Sequence, residues 1–334
     1  MQPVPGAPGQ SGDANSAPPD VVMLQEYDVH TIKADYRGID SEETFAEAMD
    51  AEGYTGILFK DPLKGRTPPS GIGIFWRRGA FRLAGSNASA PELPRFLELE
   101  CDDSCGNSVR NVDFMEHWHP LRAAGPAARE LMPDADRRHL ASIELEHLES
   151  GRKLRVVSAH LMTTSRDSRS TNEYPGEVRA GELSSLREEI GRSGDEGEAV
   201  LVAGDFNTEA KDVEVFTGRL QSTKTGSPLQ VTTGLEDLGD GSGRLLRWRA
   251  GKSVSLREAF EPVHRWGEGV GSGREGGHCT SSNAERSEWI DYIWHSEASL
   301  QPLALSDCSS PEGPIPDREH GSDHLPVAAR FAFA

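Results

Sequence analysis

Ala199-Val200-Leu201-Val202-Ala203-Gly204-Asp205-Phe206-Asn207 runs a short apolar stretch straight into a polar cluster. The stretch reads as a buried strand, and the cluster as its end. An acid beside apolar strand residues is costly to bury unless it is paired or bound. Four more positions share this pattern. Gln25-Glu26 follows Val21-Val22-Met23-Leu24. Ser158-Ala159-His160 closes a strand read over residues 154–161. Ser322-Asp323-His324 precedes one read over 325–333. Asp291 stands inside Trp289-Ile290-Asp291-Tyr292-Ile293. Taken singly, each acid reads as the cap of a neighbouring helix or turn. Five in one chain point to a shared site.

Around these clusters the patterning is mixed. Residues 54–59 and 72–76 read as strands separated by the turn-rich PLKGRTPPSG. Residues 141–146 alternate Ile and Leu with Glu, and with 154–161 they form an expected hairpin. A helix is expected over 41–51, opened by Asp40 with Glu43, and another over 177–190. A further helix is expected from about Glu209. Residues 234–277 are Gly-rich and aperiodic. Interleaved helices, strands and hairpins indicate α/β layers around mixed sheets. Residues 1–19 are Pro, Gly, Ser, Asn and Asp, and read as a disordered tail. The expected domain is 20–334, with an irregular surface insertion at about 85–136.

The 334 residues suffice for a substantial core. Lys+Arg total 35 against 54 Asp+Glu, a formal charge of −19, which argues against coating nucleic acid or anionic lipid by bulk charge. A bound cation can reverse that field locally. No stretch approaches the roughly 18 apolar residues of a membrane span, and MQPVPGAPGQ has no signal-peptide pattern. Cytoplasm or nucleus is therefore the default compartment, with no protein partner evident. The four cysteines read as reduced thiols. Cys101 and Cys105 with His117 and His119 fit zinc spacing poorly and read as a surface loop.

Together, Leu24-Gln25-Glu26, His160-Leu161, Gly204-Asp205-Phe206-Asn207, Ile290-Asp291-Tyr292-Ile293 and Gly321-Ser322-Asp323-His324-Leu325-Pro326 resemble, in order, the motifs of the endonuclease/exonuclease/phosphatase superfamily. Gly73-Ile74-Phe75-Trp76, the run from Gly176 to Leu183, and Cys279-Thr280 ahead of the Asp291 strand are similar to its carbon-catabolite-repressor deadenylase and nocturnin branch. The resemblance implies a DNase-I-like fold, a four-layer α/β sandwich of two mixed sheets flanked by helices. It implies a phosphodiesterase dependent on Mg²⁺, with Mn²⁺ as the alternative, acting on RNA or a small nucleotide.

By the same resemblance Glu26 is the metal carboxylate, with Asp323 adding a second. His324 takes the proton of the attacking water, and Asp291 orients its ring. Asp205 and Asn207 orient water and phosphate, Asn207 also touching substrate. His160 donates to a non-bridging oxygen. Arg179 contacts phosphate.

The chain also departs from the family pattern. The family has a strand ending in Asn ahead of the Gln-Glu motif. No apolar run stands there, and Asn15 lies within the Pro/Gly/Ser stretch. Ser70-Gly71-Ile72-Gly73 replaces the deadenylases' Asp-Gly-Cys. Gly271, Gly273 and Gly276 read as a flexible loop, and Gly251-Lys252-Ser253 lacks the glycine of a phosphate loop. Phe75 or Trp76 is expected to be core, the other a base-stacking surface. Three readings follow: a 3′–5′ RNA exonuclease of the poly(A) type; a nocturnin-like phosphatase on a small substrate such as NADP(H); and a catalytically impaired binding homologue.

Overall fold

The computed structural model of the protein describes residues 2–3, 18–28, 44–60, 70–85, 96–99, 108–113, 139–161, 182, 185–186, 189–190, 198–207, 233–237, 244–250, 254–260, 279–282, 287–306, 315–317 and 321–334. A large sheet runs, in spatial order, β11 (Thr233–Asp237), β12 (Arg244–Ala250), β13 (Val254–Glu258), β16 (Asp291–Ser296), β10 (Ala199–Asp205), β9 (Lys153–His160), β8 (His139–His147) and β5 (Phe81–Leu83). β7 (Val109–Asp113) also pairs with β8. Among its described strands only β9 and β10 run parallel; the other neighbours are antiparallel. A second sheet orders β2 (Val21–Asp28), β4 (Ser70–Arg77), β3 (Tyr54–Lys60) and β6 (Phe96–Leu99). A third joins β1 (Gln2–Pro3), β17 (Leu300–Leu305) and β18 (Ala329–Phe333), and β14 (Ser281–Ser282) pairs with β15 (Ser287–Glu288).

Strand alternation sets the layers. On β9, Leu154 and Val156 pack with Ile57, Ile72 and Ile74 of the second sheet. Their neighbours Val157 and Ala159 point the other way, into a cluster holding Leu186 and Ile190. Glu182, Ser185, Leu186, Glu189 and Ile190 are helical and buried, spaced as one helix face. Glu189 meets Arg110 of β7 at 2.7 Å, which offsets its burial. On the far side of the second sheet lies α1 (Phe45–Ala51), whose Phe45 and Met49 pack on Tyr27, Tyr54, Leu58 and Phe75. Helix, sheet, sheet and helix make the expected four-layer α/β sandwich of mixed sheets. Each fully buried Ile or Val in its centre stabilises by roughly 1.5–3 kcal/mol.

Several local expectations differ. The helix cap is Thr44 with Glu47, one turn after the Asp40–Glu43 pair; each side chain meets the other's backbone N–H. The stretch expected to be irregular surface places β6 and β7 in sheets, and Val109 is fully buried. The aperiodic 234–277 region supplies β11, β12 and β13. The strand β17 carries Pro302, which cannot donate to a ladder, and its register with β18 shifts there. Most of the expected tail lies outside the described residues; Gln2 and Pro3 pair with Leu305 and Ala304. The helix expected from Glu209 also lies outside them.

Candidate active site

The site is assembled by strand register. In the parallel β9–β10 pair Asp205 stands opposite His160; in the antiparallel β10–β16 pair it stands opposite Asp291. Residues opposite one another share a face, so three polar side chains line up across three strands. Gly204 makes this approach feasible. Its φ is 148°, and a Cβ there would sit 1.9 Å from the Ala159 carbonyl oxygen.

Beyond the strand end the chain turns on Asp205. Its Oδ1 accepts from the Asn207 backbone N–H at 2.7 Å, and its Oδ2 from Asn207 Nδ2 at 2.9 Å. Asn207 Nδ2 also donates to the Leu161 carbonyl at 2.9 Å, and Asn207 holds a φ of 46°. This left-handed turn brings Asn207 back beside Asp205 and His160. His160 Nε2 lies 3.6 Å from Asp205 Oδ2 and 3.8 Å from Glu26 Oε1.

Glu26 comes from the second sheet. The β2–β4 register slips between Leu24 and Tyr27, and Glu26 takes a φ of 52°. This bulge aims its side chain, 73% exposed, at the site. Gln25, beside it, donates from Nε2 to Ser158 Oγ at 2.9 Å, tying the bulge to fully buried Ser158 on β9.

His324 arrives from the loop before β18. A β-bridge to Ser281 and a 3.1 Å bond from its N–H to Ser322 Oγ hold its backbone. Its Nδ1 lies 2.9 Å from Asp291 Oδ2, and its Nε2 lies 3.9 Å from Asp205 Oδ2. Burial opposes charge on His324. The Asp291 hydrogen bond, and the charges of Asp291, Asp205 and Asp323, outweigh it and push it up to about 9.

Two carboxylates side by side at a strand end need positive charge nearby. Asp205, Asp291 and His324 each bring a ligand atom within 4.8 Å of the others. Hard carboxylate oxygens suit Mg²⁺, and the exposed Glu26 adds another at the rim. The donor chemistry thus fits a divalent cation of this kind.

Glu26, His160, Asp205, Asn207, Asp291 and His324 come together here from five strand ends or turns. Asp323 is next to His324, and its backbone carbonyl accepts from Ser282 N–H at 3.0 Å. Arg179 lies outside the described residues, as do Cys101, Cys105, His117, His119, Asn15 and the motifs at 251–253 and 271–276. Phe75 and Trp76 are both buried, in separate clusters, so neither is a stacking surface. Gly71 and Gly73 serve packing: a Cβ at Gly71 would meet the Phe59 carbonyl at 2.0 Å, and one at Gly73 the Tyr27 ring at 2.9 Å. The Gln25–Ser158 tie was not visible in the sequence, although both residues stood in the quoted clusters.

Two sheets thus converge their polar strand ends on one acidic, imidazole-bearing site. The chain belongs to the Endonuclease/Exonuclease/phosphatase family, whose model matches residues 12–324. Members of this family hydrolyse phosphate esters. Over 201 residues the chain is 28% identical to the CCR4-Not complex 3′-5′-exoribonuclease subunit Ccr4 of Candida albicans. That match covers 56% of this chain but only 22%, about a fifth, of that protein. In fold, the chain is similar to ANGEL2, a 2′,3′-cyclic phosphatase, with a TM-score of 0.54, 17% identity, and coverage of 93% and 81%. The human Nocturnin catalytic domain gives a TM-score of 0.50 at 19% identity, covering 95% of this chain and 81% of that one. Among the described residues, no helix is long and apolar enough to cross a membrane.

Proposed function

We propose that this protein is a Mg²⁺-dependent phosphodiesterase, specifically a 3′–5′ exonuclease on adenine-rich RNA. The observation that carries the reading is the Asp291–His324 pair at 2.9 Å, set beside Asp205 and His160 by strand register. The similarity to an exoribonuclease subunit supports the choice of substrate.

In this reading His324 Nε2 takes the proton of the attacking water while Asp291 holds Nδ1–H and fixes the tautomer. A bound cation would offset the carboxylate charge around His324 and favour its neutral, basic form. Asp205 and Asn207 orient the water, and His160 donates to a non-bridging phosphate oxygen as its charge grows. The water oxygen bonds to phosphorus, the bond to the leaving 3′ oxygen breaks, and that oxygen is protonated from solvent. Glu26, with Asp323, would hold Mg²⁺, Asp291 and His324 being committed to each other, and the ion would neutralise phosphate oxygens in the transition state. Arg179 is assigned a phosphate contact.

The test is nucleotide release from oligoadenylate with Mg²⁺, with EDTA, and with His324→Ala. Release that depends on Mg²⁺ and on His324 supports the reading; an alanine variant matching the parent overturns it. A second reading, a phosphatase on a small molecule such as NADP(H), rests on the −19 charge, which disfavours a long polyanion. Phosphate release from NADP(H) exceeding oligoadenylate turnover by one preparation selects it. Calorimetric Mg²⁺ binding that Glu26→Gln abolishes disposes of an inactive homologue.

A further inference from the structure

Asp291 opens β16, and His324 lies 33 residues further along in a loop. Neither element by itself sets the distance between them. The segment that touches both is Thr280–Ser282, in and just ahead of β14. Thr280 is fully buried. Its Oγ1 accepts two backbone N–H groups, those of Ile290 and Asp291, each at 3.0 Å. Its own N–H donates to the Glu288 carbonyl at 3.0 Å, and its carbonyl accepts from Leu325 N–H at 2.7 Å. Ser281 forms the bridge to His324, and Ser282 N–H donates to the Asp323 carbonyl at 3.0 Å.

A hydroxyl has two lone pairs, and both are used here on the peptide groups that begin the Asp291 strand. The main chain of the same residue grips the peptide just past His324. Asp291 and His324 are thus hung on one side chain and its backbone. The Thr280 Oγ1 contacts lie on the backbone of Asp291, away from the reacting atoms, so its effect is exerted through the dyad.

We infer that Thr280 is the positioning residue of the Asp291–His324 pair, its hydroxyl fixing the start of β16 and its carbonyl fixing the His324 loop. The inference rests on the hydrolase reading given above for its kinetic consequence, and on the hydrogen bonds alone for its structural one. Thr280→Val keeps the side-chain shape and removes the acceptor, leaving two buried N–H groups without it. Thr280→Ser keeps the acceptor.

The experiment uses the full chain with Mg²⁺ and oligoadenylate, and two readouts. The first is kcat and KM: Thr280→Val is expected to lower kcat roughly 10- to 100-fold, as a small displacement of a catalytic pair does, with KM little changed. Thr280→Ser is expected to restore kcat to within about 3-fold. The second is the far-downfield proton resonance of His324 Nδ1–H held by Asp291, which should persist in Thr280→Ser and vanish in Thr280→Val. If Thr280→Val does not fold, Thr280→Ala carries the same expectations. A folded Thr280→Val or Thr280→Ala protein with parental kcat and an intact resonance overturns the inference. Were the parent protein inactive, the resonance series would still decide the positioning role, while the hydrolase reading would fall on its own.

Discussion

The two ends of β16 treat a polar side chain in opposite ways. At its start Asp291 meets His324, and the surrounding carboxylates push that imidazole up to about 9. Near its other end His295 is 2% exposed. Burial first, and then the Arg257 charge, push it down to about 4 against a backbone hydrogen bond to Arg257. His295 stacks on Phe331 at 5.2 Å, and its Nδ1 meets no hydrogen-bond partner among the described residues. One end gathers charge and the other suppresses it, though the strand is the same. What separates them is the company: strand-end acids from β10 and a loop at one end, an arginine and an aromatic ring at the other.

Removing the charge from the active end should have the largest effect. Asp291→Asn leaves the shape and takes away the negative charge that faces the His324 ring, while its amide oxygen can still accept from Nδ1. It is expected to lower kcat by about 10²–10⁴-fold, read by steady-state hydrolysis. Next comes the backbone beneath that end. Gly204→Ala places a Cβ against the Ala159 carbonyl at a φ of 148°. It should destabilise the fold by roughly 3 kcal/mol or more by urea unfolding, and separate Asp205 from His160.

The histidines sharpen the contrast through pH. His324 is raised from 6.5 to about 9 in the folded, metal-free protein. Its contribution is full below the unfolded value and is lost as pH rises through about 9. Stability in EDTA should therefore fall by about 3 kcal/mol between those limits, and His324→Ala should flatten that limb. His295 has the opposite sign. Its contribution is present above pH 6.5 and is lost as pH falls through about 4, for a similar or slightly smaller amount once acid unfolding of other groups is shared. His295→Phe should remove that share of the acid limb, with hydrolysis at neutral pH unaffected.

The polar clusters were legible because each breaks an apolar run at a strand end. Among the strands, β8 was legible because it alternates apolar with polar residues, and β10 because it is a short apolar run. What brings the clusters together was not. Nothing local says that Asp205 stands opposite both His160 and Asp291, since register is a property of two strands at once. The bond from Gln25 to Ser158 spans 133 residues and has no local signature. Strand β17 was hidden by Pro302, whose lost donor is absorbed at a register shift. Strand β12, Arg244-Leu245-Leu246-Arg247-Trp248-Arg249-Ala250, was hidden by three arginines and an incomplete alternation. Strand β7 with its buried Val109 was hidden for a related reason: five residues between charged stretches carry too short a pattern to declare a buried strand.

The central claim is that Asp291 and His324 act as one unit on a phosphate ester. A double-mutant cycle of Asp291→Asn and His324→Ala, read as kcat with Mg²⁺ and oligoadenylate, tests it most directly. The expected result is a double variant no slower than the worse single variant. Losses that multiply would contradict the pairing, and single variants with parental rates would contradict the site.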